Sequence, residues 1–337
     1  MNARKVIIDC DPGIDDALAL MLAIASPELE ILGITVVCGN VPAETGAKNA
    51  LKVLEWMGRP DIPVYLGEEK PLVRVYVDAR DTHGEDGLGE SGYPEAEGIK
   101  PRRGAVSFLT ETLRKNEKVS VIALGPLTNI ARVIQDAPEC MAGLDEFVSM
   151  GGSYKSNGNC SPVAEYNYWC DPHAAGEVYE AFHALPWLKG KKIHMIGLDV
   201  TRKIVLTPNI LEYIKCIDRN MGERIEKITR FYFDFHWKQE SVIGCVINDP
   251  LAVAYFIERS LCSGFDCYTA VETEGISMGQ SISDAYGFWK KDPNSHVLTG
   301  TDALGFMKFF LHRVANADES EADKVLRQIM VPQEGNV

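Results

Sequence analysis

Four aspartates, Asp9, Asp11, Asp15 and Asp16, lie within eight residues near the start of the chain. Carboxylates this close repel one another, and each is costly to remove from water. A helix N-terminus offsets part of that cost, so capping alone could account for one or two of them. The spacing also fits a divalent cation with oxygen ligands, because no Cys or His pair has zinc spacing. An EF-hand loop is excluded, since the twelfth position from Asp9 is Leu20 rather than Glu.

The carboxylates sit at the junction between a predicted strand and a predicted helix. Residues Val6–Ile8 are apolar and β-branched, which is typical of a strand buried on both faces. Pro12 and Gly13 mark a turn, and the residues from Asp15 onward are strong helix formers that are apolar on every side. The sequence therefore predicts a buried strand that ends in carboxylates and leads into a buried helix.

The alternation of strand and helix continues along the chain. We predict strands at 31–37, 64–66, 119–124, 145–150 and 193–198, helices at 42–57, 106–113, 221–239, 251–257 and 303–314, and β-structure at 268–283 and 296–301. This order predicts an α/β fold with an open, mostly parallel, Rossmann-like sheet and helices on both faces. Because the sequence has neither an internal repeat nor a linker, residues 1–337 are expected to form a single domain.

Polar residues follow several of the predicted strands. Asn40 comes directly after the strand at 31–37, and open α/β sheets bind ligands at the carboxyl ends of their strands. The irregular segment after the strand at 145–150 contains Asn159, Glu165 and Asn167. These side chains suit a polyhydroxylated ligand, because each can hydrogen-bond to a hydroxyl group.

Two further segments have competing interpretations. Residues 68–104 form a long Gly-, Asp- and Glu-rich loop, and loops of this length are usually functional or mobile. Its His83 is explained as well by exposure to solvent as by a role in a site. The end of the helix at 221–239 crowds five aromatic residues into 231–237, where core packing is the simpler interpretation for most of them.

Composition limits the compartment and the partners. An apolar content of 46% and a charged content of 24% are ordinary for a globular protein. The net charge of −14 disfavours nucleic acid or an anionic membrane as the main partner. Nine cysteines without CxxC pairs indicate reduced thiols, and no apolar run reaches the ~18 residues of a membrane span. We therefore expect a cytoplasmic protein without a signal peptide.

Six stretches of the chain resemble, in order, the motifs of the inosine-uridine-type nucleoside hydrolases. They are DCDPGIDDALAL at 9–20, CGN at 38–40, HGEDGLG at 83–89, GPLTNIA at 125–131, MGGSYKSNGNCSPVAEYN at 150–167 and NDPLAV at 248–253. The resemblance runs from residue 6 to residue 253, about three quarters of the chain. It implies hydrolysis of the N-glycosidic bond of a small-molecule ribonucleoside, a bound Ca²⁺ ion, and a homodimer or homotetramer.

The resemblance also implies roles for individual residues. The calcium ligands would be Asp11, Asp16, Asp249 and the backbone carbonyl of Leu124. The ribose would be bound by Asp15, Asn159, Glu165 and Asn167, with Asn40 supporting the site, Met150 lining it and Asp9 lying behind it. Cleavage of the bond passes through an oxocarbenium-like state, which a site rich in carboxylates stabilises. Asp11 would act as the general base that accepts a proton from the attacking water.

The residue before the last metal ligand departs from the family pattern. Many members carry a histidine there that can protonate the departing base, whereas this chain has Asn248. An amide donates hydrogen bonds but is no acid near neutral pH. Help for the leaving base would then come from His83, from Tyr232 or His236 of the aromatic helix end, from water, or from a base that needs little help.

Two other functions fit part of the sequence. A haloacid-dehalogenase-type phosphatase also begins with an apolar strand and Asp-x-Asp, with Asp9 as nucleophile, Asp11 as acid/base and magnesium as the metal. A hydrolase-like protein that binds ribosides with little turnover would explain Asn248. The reaction product separates the three functions. A nucleoside hydrolase releases ribose, a phosphatase releases phosphate, and a riboside-binding homologue leaves the bound nucleoside intact.

Overall fold

The computed structural model describes residues 3–116 and 118–330. Its strands are β1 (Arg4–Cys10), β2 (Leu29–Val36), β3 (Val64–Leu66), β4 (Arg102–Arg103), β5 (Val119–Ala123), β6 (Leu144–Met150), β7 (Ile193–Ile196), β8 (Val205–Leu206), β9 (Cys245–Val246), β10 (Cys262–Val271), β11 (Ser281–Asp284) and β12 (Ser295–Thr301). Within the described residues, ten of these strands form one sheet in the order β11-β10-β12-β7-β6-β5-β1-β2-β3-β4. Strands β8 and β9 pair separately.

The sheet is parallel from β12 across to β4. Strand β10 runs antiparallel to both of its neighbours, β12 and β11. Because the parallel strands all end at the same edge, the segments that follow β1, β2, β5 and β6 meet there. These segments carry most of the predicted site residues.

Helices cover both faces of the sheet. They are α1 (Ile14–Ile24), α2 (Ala43–Trp56), α3 (Arg80–His83), α4 (Ala105–Lys115), α5 (Thr128–Asp136), α6 (Tyr166–Cys170), α7 (Pro172–Ala184), α8 (Leu198–Thr201), α9 (Pro208–Ile217), α10 (Arg219–Glu240), α11 (Asp249–Ile257), α12 (Ala303–Ala315) and α13 (Glu319–Met330). Among the described residues, no helix is both long enough and apolar enough to cross a membrane.

Side chains of β1 alternate between two hydrophobic cores. Val6 and Ile8 point into the larger core with α1, α2, α10, α11 and α12, whereas Ile7 points into the second core with α4, α5 and α7. Helix α1 lies inside the larger core, and its residues 14–23 are all buried. A strand and a helix buried this completely fix the position of the turn that joins them.

The structure confirms the predicted fold class, a mostly parallel α/β sheet with helices on both faces. The main differences concern short or exposed elements. The loop at 68–104 contains α3 and β4, which are too short to produce a periodic sequence pattern. Strand β10 begins at Cys262 rather than Tyr268, because its first half is partly exposed and therefore polar. Helix α13 was missed, although Ala322 and Leu326 form its buried face.

Candidate functional site

A cavity of about 880 Å³ opens at the carboxyl edge of the sheet. It brings together twelve of the fifteen residues that the sequence analysis assigned to the site: Asp15, Asn40, His83, Leu124, Met150, Asn159, Glu165, Asn167, Tyr232, His236, Asn248 and Asp249. The other three, Asp9, Asp11 and Asp16, are completely buried. The convergence follows from the sheet, because β1, β2, β5 and β6 deliver their following loops to one edge.

Three carboxylates form a group that could hold a metal ion. Asp15, Asp16 and Asp249 each place one oxygen so that the three oxygens lie within 4.8 Å of one another, and all three residues are buried. Asp15 and Asp16 belong to the first turn of α1, and Asp249 is the first residue of α11. A cluster of oxygens without a sulfur or nitrogen ligand suits a hard divalent cation such as Ca²⁺ or Mg²⁺. Asp15 was not among the metal ligands that the resemblance implies.

The Asp16 carboxylate also caps helix α1. It accepts hydrogen bonds from the backbone N–H groups of Gly13, at 2.9 Å, and Asp11, at 3.2 Å, and from Nδ2 of Asn40 at 3.0 Å. The capping interpretation is therefore correct for this residue. Burial nevertheless raises the pKa of Asp16 to about 7, and the neighbouring Asp15 charge acts in the same direction.

The Asp11 carboxylate lies between two glycines. Its Oδ2 accepts the backbone N–H of Asn40 at 2.7 Å, while its buried Oδ1 has no hydrogen-bond partner among the described residues. A Cβ atom on Gly39 or Gly125 would come within 1.9 or 2.5 Å of its oxygens. Burial, followed by the charge of Asp16, raises the pKa of Asp11 well above its usual range.

Asp9 lies behind the cluster, as the resemblance implies. Its Oδ1 accepts hydrogen bonds from Oγ1 of Thr35, at 2.5 Å, and from Nδ2 of Asn129, at 2.8 Å. Burial raises its pKa to about 7, although both hydrogen bonds favour the charged form. Asp9 thus ties β1 to β2 and to α5 beneath the site.

Glu165 and Asn167 are held at the start of α6. The Glu165 carboxylate accepts the backbone N–H groups of Gly152, Asn167 and Tyr168, at 2.9, 2.8 and 3.2 Å. Burial raises the pKa of Glu165 to about 7, against the effect of these hydrogen bonds. Nδ2 of Asn167 donates to the carbonyl of Leu124 at 2.6 Å, so one predicted site residue orients another.

His83 is buried, which shows that the solvent-exposed interpretation was wrong. Its Nδ1 accepts the backbone N–H of Ile14 at 3.1 Å. A nitrogen that accepts a hydrogen bond carries no proton, so the proton of the neutral ring sits on Nε2. Burial also lowers the pKa of His83 from its ordinary value. At neutral pH the side chain is therefore an uncharged hydrogen-bond donor.

The aromatic end of α10 divides between the cavity and the core. Tyr232, Phe235 and His236 line the cavity. Tyr232 also belongs to the larger core, and Phe233 and Phe235 pack against it, as expected for most of these aromatic residues. His236 lies within 3.0 Å of the Tyr232 carbonyl through Nδ1, and burial lowers its pKa. The Tyr232 ring lies 5.2 Å from that of His83 and 4.4 Å from that of His236.

Asn248 faces Asp15 in the carboxylate cluster. Its backbone N–H and its Nδ2 donate to the same oxygen of Asp15, at 3.2 and 3.1 Å, and Tyr232 lies 3.4 Å from that oxygen through its hydroxyl group. The buried Oδ1 of Asn248 has no partner among the described residues. The side chain therefore orients Asp15 and offers the cavity an acceptor rather than an acid.

The cavity also contains residues that were not singled out from the sequence, among them Tyr166, Trp169 and Arg202. The hydroxyl of Tyr166 lies 2.7 Å from the carbonyl of Gly39 and 2.9 Å from that of Val77. Arg74 stacks over the Trp169 ring at 3.8 Å. Tyr166 lies inside the motif at 150–167, so the sequence could have indicated it as a site residue. Trp169 and Arg202 lie outside the motifs and reach the cavity only through tertiary packing.

Comparison with known proteins gives one consistent result for the whole chain. The family described as inosine-uridine preferring nucleoside hydrolase matches residues 6–308. The pyrimidine-specific ribonucleoside hydrolase RihA of Salmonella paratyphi B is 34% identical over 316 residues, which cover 93% of this chain and 98% of that protein. The protein of the same name from Shewanella sp. is 35% identical over 317 residues, covering 93% and 96%.

Solved structures show the same similarity. The purine-preferring ribonucleoside hydrolase from Gardnerella vaginalis superposes with a TM-score of 0.84 at 29% identity, covering 95% of this chain and all of that one, 100%. An inosine-guanosine nucleoside hydrolase superposes with a TM-score of 0.82 at 30% identity, covering 94% and 99%. The similar proteins thus differ in the bases that their names give.

Gly39→Ala tests whether the fixed Asp11 carboxylate contributes to cation binding. The added Cβ would lie 1.9 Å from Oδ2 of Asp11, so the carboxylate must leave the N–H of Asn40. We expect the affinity for Ca²⁺ in isothermal titration calorimetry to fall by about tenfold or more, as it does when groups that orient ligands are disturbed. Gly176→Ala is the control, because its Cβ would meet Thr273 at an ordinary 3.5 Å. Equal affinities in the two variants would contradict this role of Asp11.

Proposed function

Since the chain belongs to the inosine-uridine preferring nucleoside hydrolase family and is a ribonucleoside hydrolase, we propose that its carboxylate-lined cavity performs the reaction with the help of a calcium ion. The substrate's N-glycosidic bond is hydrolysed, and ribose and the free base are released. The observation that carries this proposal is the convergence of Asp15, Asp16 and Asp249 at one cavity, with Asp11 buried beside them.

The residues present fit a calcium ion. The cluster offers only oxygen atoms, and Oδ1 of Asp11 is buried without a hydrogen-bond partner among the described residues. Burial raises the pKa of Asp11, Asp16 and Asp249, and a cation beside them would favour their charged forms. We propose Asp11, Asp16, Asp249 and the Leu124 carbonyl as ligands. When bound, calcium would supply positive charge that orders ribose hydroxyls and a water and makes that water more acidic.

The side chains of the cavity then divide the chemistry among them. Asp15 is oriented by Asn248 and Tyr232, so it can accept hydrogen bonds from the ribose hydroxyls. Asp11 accepts a proton from the water whose oxygen attacks C1′, and its Oδ1 has no other hydrogen-bond partner among the described residues. The bond between C1′ and the base nitrogen breaks, and its electron pair leaves with the base. Carboxylates around the ribose stabilise the positive charge that develops on it.

The departing base is assisted by hydrogen bonds in this proposal. Neutral His83 can donate through Nε2, because its Nδ1 is occupied by Ile14. His236 and Tyr232 stand beside it on α10. Asn248 supplies no proton, so bases that depart without full protonation are favoured. We therefore propose a preference for pyrimidine ribonucleosides, which is the specificity named for the RihA relatives.

The two alternative functions are less well supported. Family membership argues against a phosphatase, because the match covers residues 6–308. Asp9 is also completely buried behind the cluster, held by Thr35 and Asn129, where it cannot act as a nucleophile. A riboside-binding homologue with little turnover has only Asn248 in its favour, since every proposed metal and ribose ligand is present.

We propose that the enzyme works in the cytoplasm as a homodimer or homotetramer. All nine cysteines are free thiols, which supports a reducing compartment. Beyond the edge strand β11, Tyr286 and Phe288 are more than four-fifths exposed, at 83% and 81%. Aromatic side chains this exposed are typical of a surface that another subunit covers.

Ribose release from uridine and from 2′-deoxyuridine tests the proposed sugar recognition. A buried site built to bind a hydroxyl group penalises its absence by a factor that can reach ~10⁴. We expect kcat/KM for deoxyuridine to be lower by about that order, measured with a reducing-sugar assay. Comparable turnover of the two nucleosides would contradict ribose binding by Asp15 and the calcium ion.

Asp249→Asn tests the proposed metal site. The substitution keeps the shape of the side chain but removes a ligand charge, so we expect calcium affinity to fall on the order of a hundredfold. Elemental analysis of the wild-type protein should give about one calcium per chain. Asp234→Asn is the control, because that exposed carboxylate, among the described residues, pairs only with Arg230 on the surface of α10. Full activity after thorough chelation would exclude a calcium-dependent reaction.

Asn248→His tests whether the wild-type enzyme releases the base without an acid at position 248. Asp15 lies 3.1 Å from the amide, so a histidine at 248 would be stabilised in its charged form. An acid works only while protonated, so turnover of inosine should rise at low pH and fall as the pH increases past the pKa of the new histidine. The wild-type profile should lack this descending limb, because burial keeps His83 and His236 neutral. A histidine limb in the wild type would show that one of them acts as an acid.

A further inference from the structure

The loop between β6 and α6, residues 151–165, is held by one aspartate of the short helix α8. Asp199 accepts the backbone N–H of Tyr154 through Oδ2 at 2.6 Å. Its Oδ1 accepts the N–H groups of Lys155 and Ser156 at 2.8 and 3.0 Å. Three successive backbone donors are therefore bound by one carboxylate, although the loop lies at the mouth of the cavity.

Arg202, at the end of α8, holds the next part of the same loop. Its Nη1 donates to Oγ of Ser156 and to the carbonyl of Asn157, both at 2.6 Å. Its Nη2 donates to the carbonyl of Gly158 at 2.9 Å and to Oε1 of Glu240 at 3.3 Å. The planar guanidinium can serve several acceptors at fixed angles, whereas a lysine ammonium cannot reproduce this fork.

The part of the loop after Gly158 is too tightly folded to move independently. A Cβ on Gly158 would lie 2.2 Å from the carbonyl oxygen of Ser161 and 2.3 Å from that of Ala164. The N–H of Asn159 donates to the same Ala164 carbonyl at 3.1 Å. The placement of Asn159 therefore depends on where its preceding residue is held, and Arg202 holds that residue.

We propose that Arg202, supported by Asp199, is a positioning residue that fixes residues 154–158 and thereby aims Asn159 at the ribose. The ribose part of this inference rests on the proposed function, whereas the ordering of the loop does not. Arg202 also links the loop to Glu240 at the end of α10, the helix that carries Tyr232 and His236. One side chain thus joins the ribose side of the cavity to the base side.

Limited digestion with trypsin tests the ordering of the loop without any assay of activity. Lys155 is exposed, but its backbone is held by Asp199, so cleavage after it should be slow in the wild type. We expect Arg202→Lys to speed this cleavage at least about fivefold, because the released loop can fit a protease more often. Arg230→Lys is the matched control, since Arg230 is exposed and its only ion pair within the described part of the chain is with Asp234. The Lys155→Gln variant lacks this cleavage site, so the fragment that disappears from its digest is the one produced by cleavage after Lys155.

Steady-state kinetics tests whether Arg202 acts through Asn159. Loss of charge-assisted hydrogen bonds in Arg202→Lys should raise KM for the ribonucleoside about tenfold while kcat changes less than about threefold. In an Asn159→Ala background the same substitution should have almost no further effect, because the group that it positions is gone. Calcium affinity should be unchanged, which separates this role from general damage to the site. Asp199→Asn should reproduce the pattern if Arg202→Lys folds poorly.

Each result bears on the proposal in a definite way. Cleavage after Lys155 at the wild-type rate in both Arg202→Lys and Asp199→Asn would overturn it. If Arg202→Lys lowered kcat/KM as much in the Asn159→Ala background as in the wild type, Arg202 would not act through Asn159, and that part of the proposal would be overturned. If the wild-type protein released no ribose, the proposed function would be wrong, and the digestion would still decide whether Arg202 orders the loop.

Discussion

The site depends on one electrostatic constraint, the burial of several carboxylates around the N-terminus of a single helix. Asp9, Asp11 and Asp16 are completely buried, and Asp15 and Asp249 almost so. The protein compensates part of this charge with backbone N–H groups, the N-terminus of α1 and the amide of Asn40. It does not compensate all of it, because the raised pKa values show that burial outweighs the hydrogen bonds. A cation would supply the missing charge.

The topology of the sheet explains why the carboxylates meet their partners. Parallel strands end at one edge, so the loops after β1, β2, β5 and β6 converge, although β1 ends at Cys10 and β6 ends only at Met150. The two cores then hold the strands and α1 in place from both sides. Close backbone approach completes the arrangement, because Gly39 and Gly125 leave room for the Asp11 carboxylate that any side chain would fill.

The side of the cavity proposed to hold the base is built from neutral groups, in contrast to the carboxylate-rich side proposed to bind ribose. His83 is held as a neutral donor by Ile14, and burial keeps His236 uncharged. Asn248 directs both of its donors toward Asp15. Asn248, which cannot act as an acid, thus stabilises Asp15, the carboxylate proposed to bind ribose. This division agrees with a reaction in which positive charge develops on the sugar.

The sequence by itself determined the fold class, the carboxylate motif and twelve residues that the structure brings to one cavity, because buried strands, buried helices and clustered charges leave strong local patterns. Tertiary structure alone decided which groups touch. Burial of His83 depends on Gly13 and on Tyr232, which come from distant segments, so its loop composition suggested exposure. Asp15 joined the metal-capable group only when α11 brought Asp249 beside α1. Arg202 lies outside every motif, and it reaches the cavity because packing places α8 against the loop that it holds.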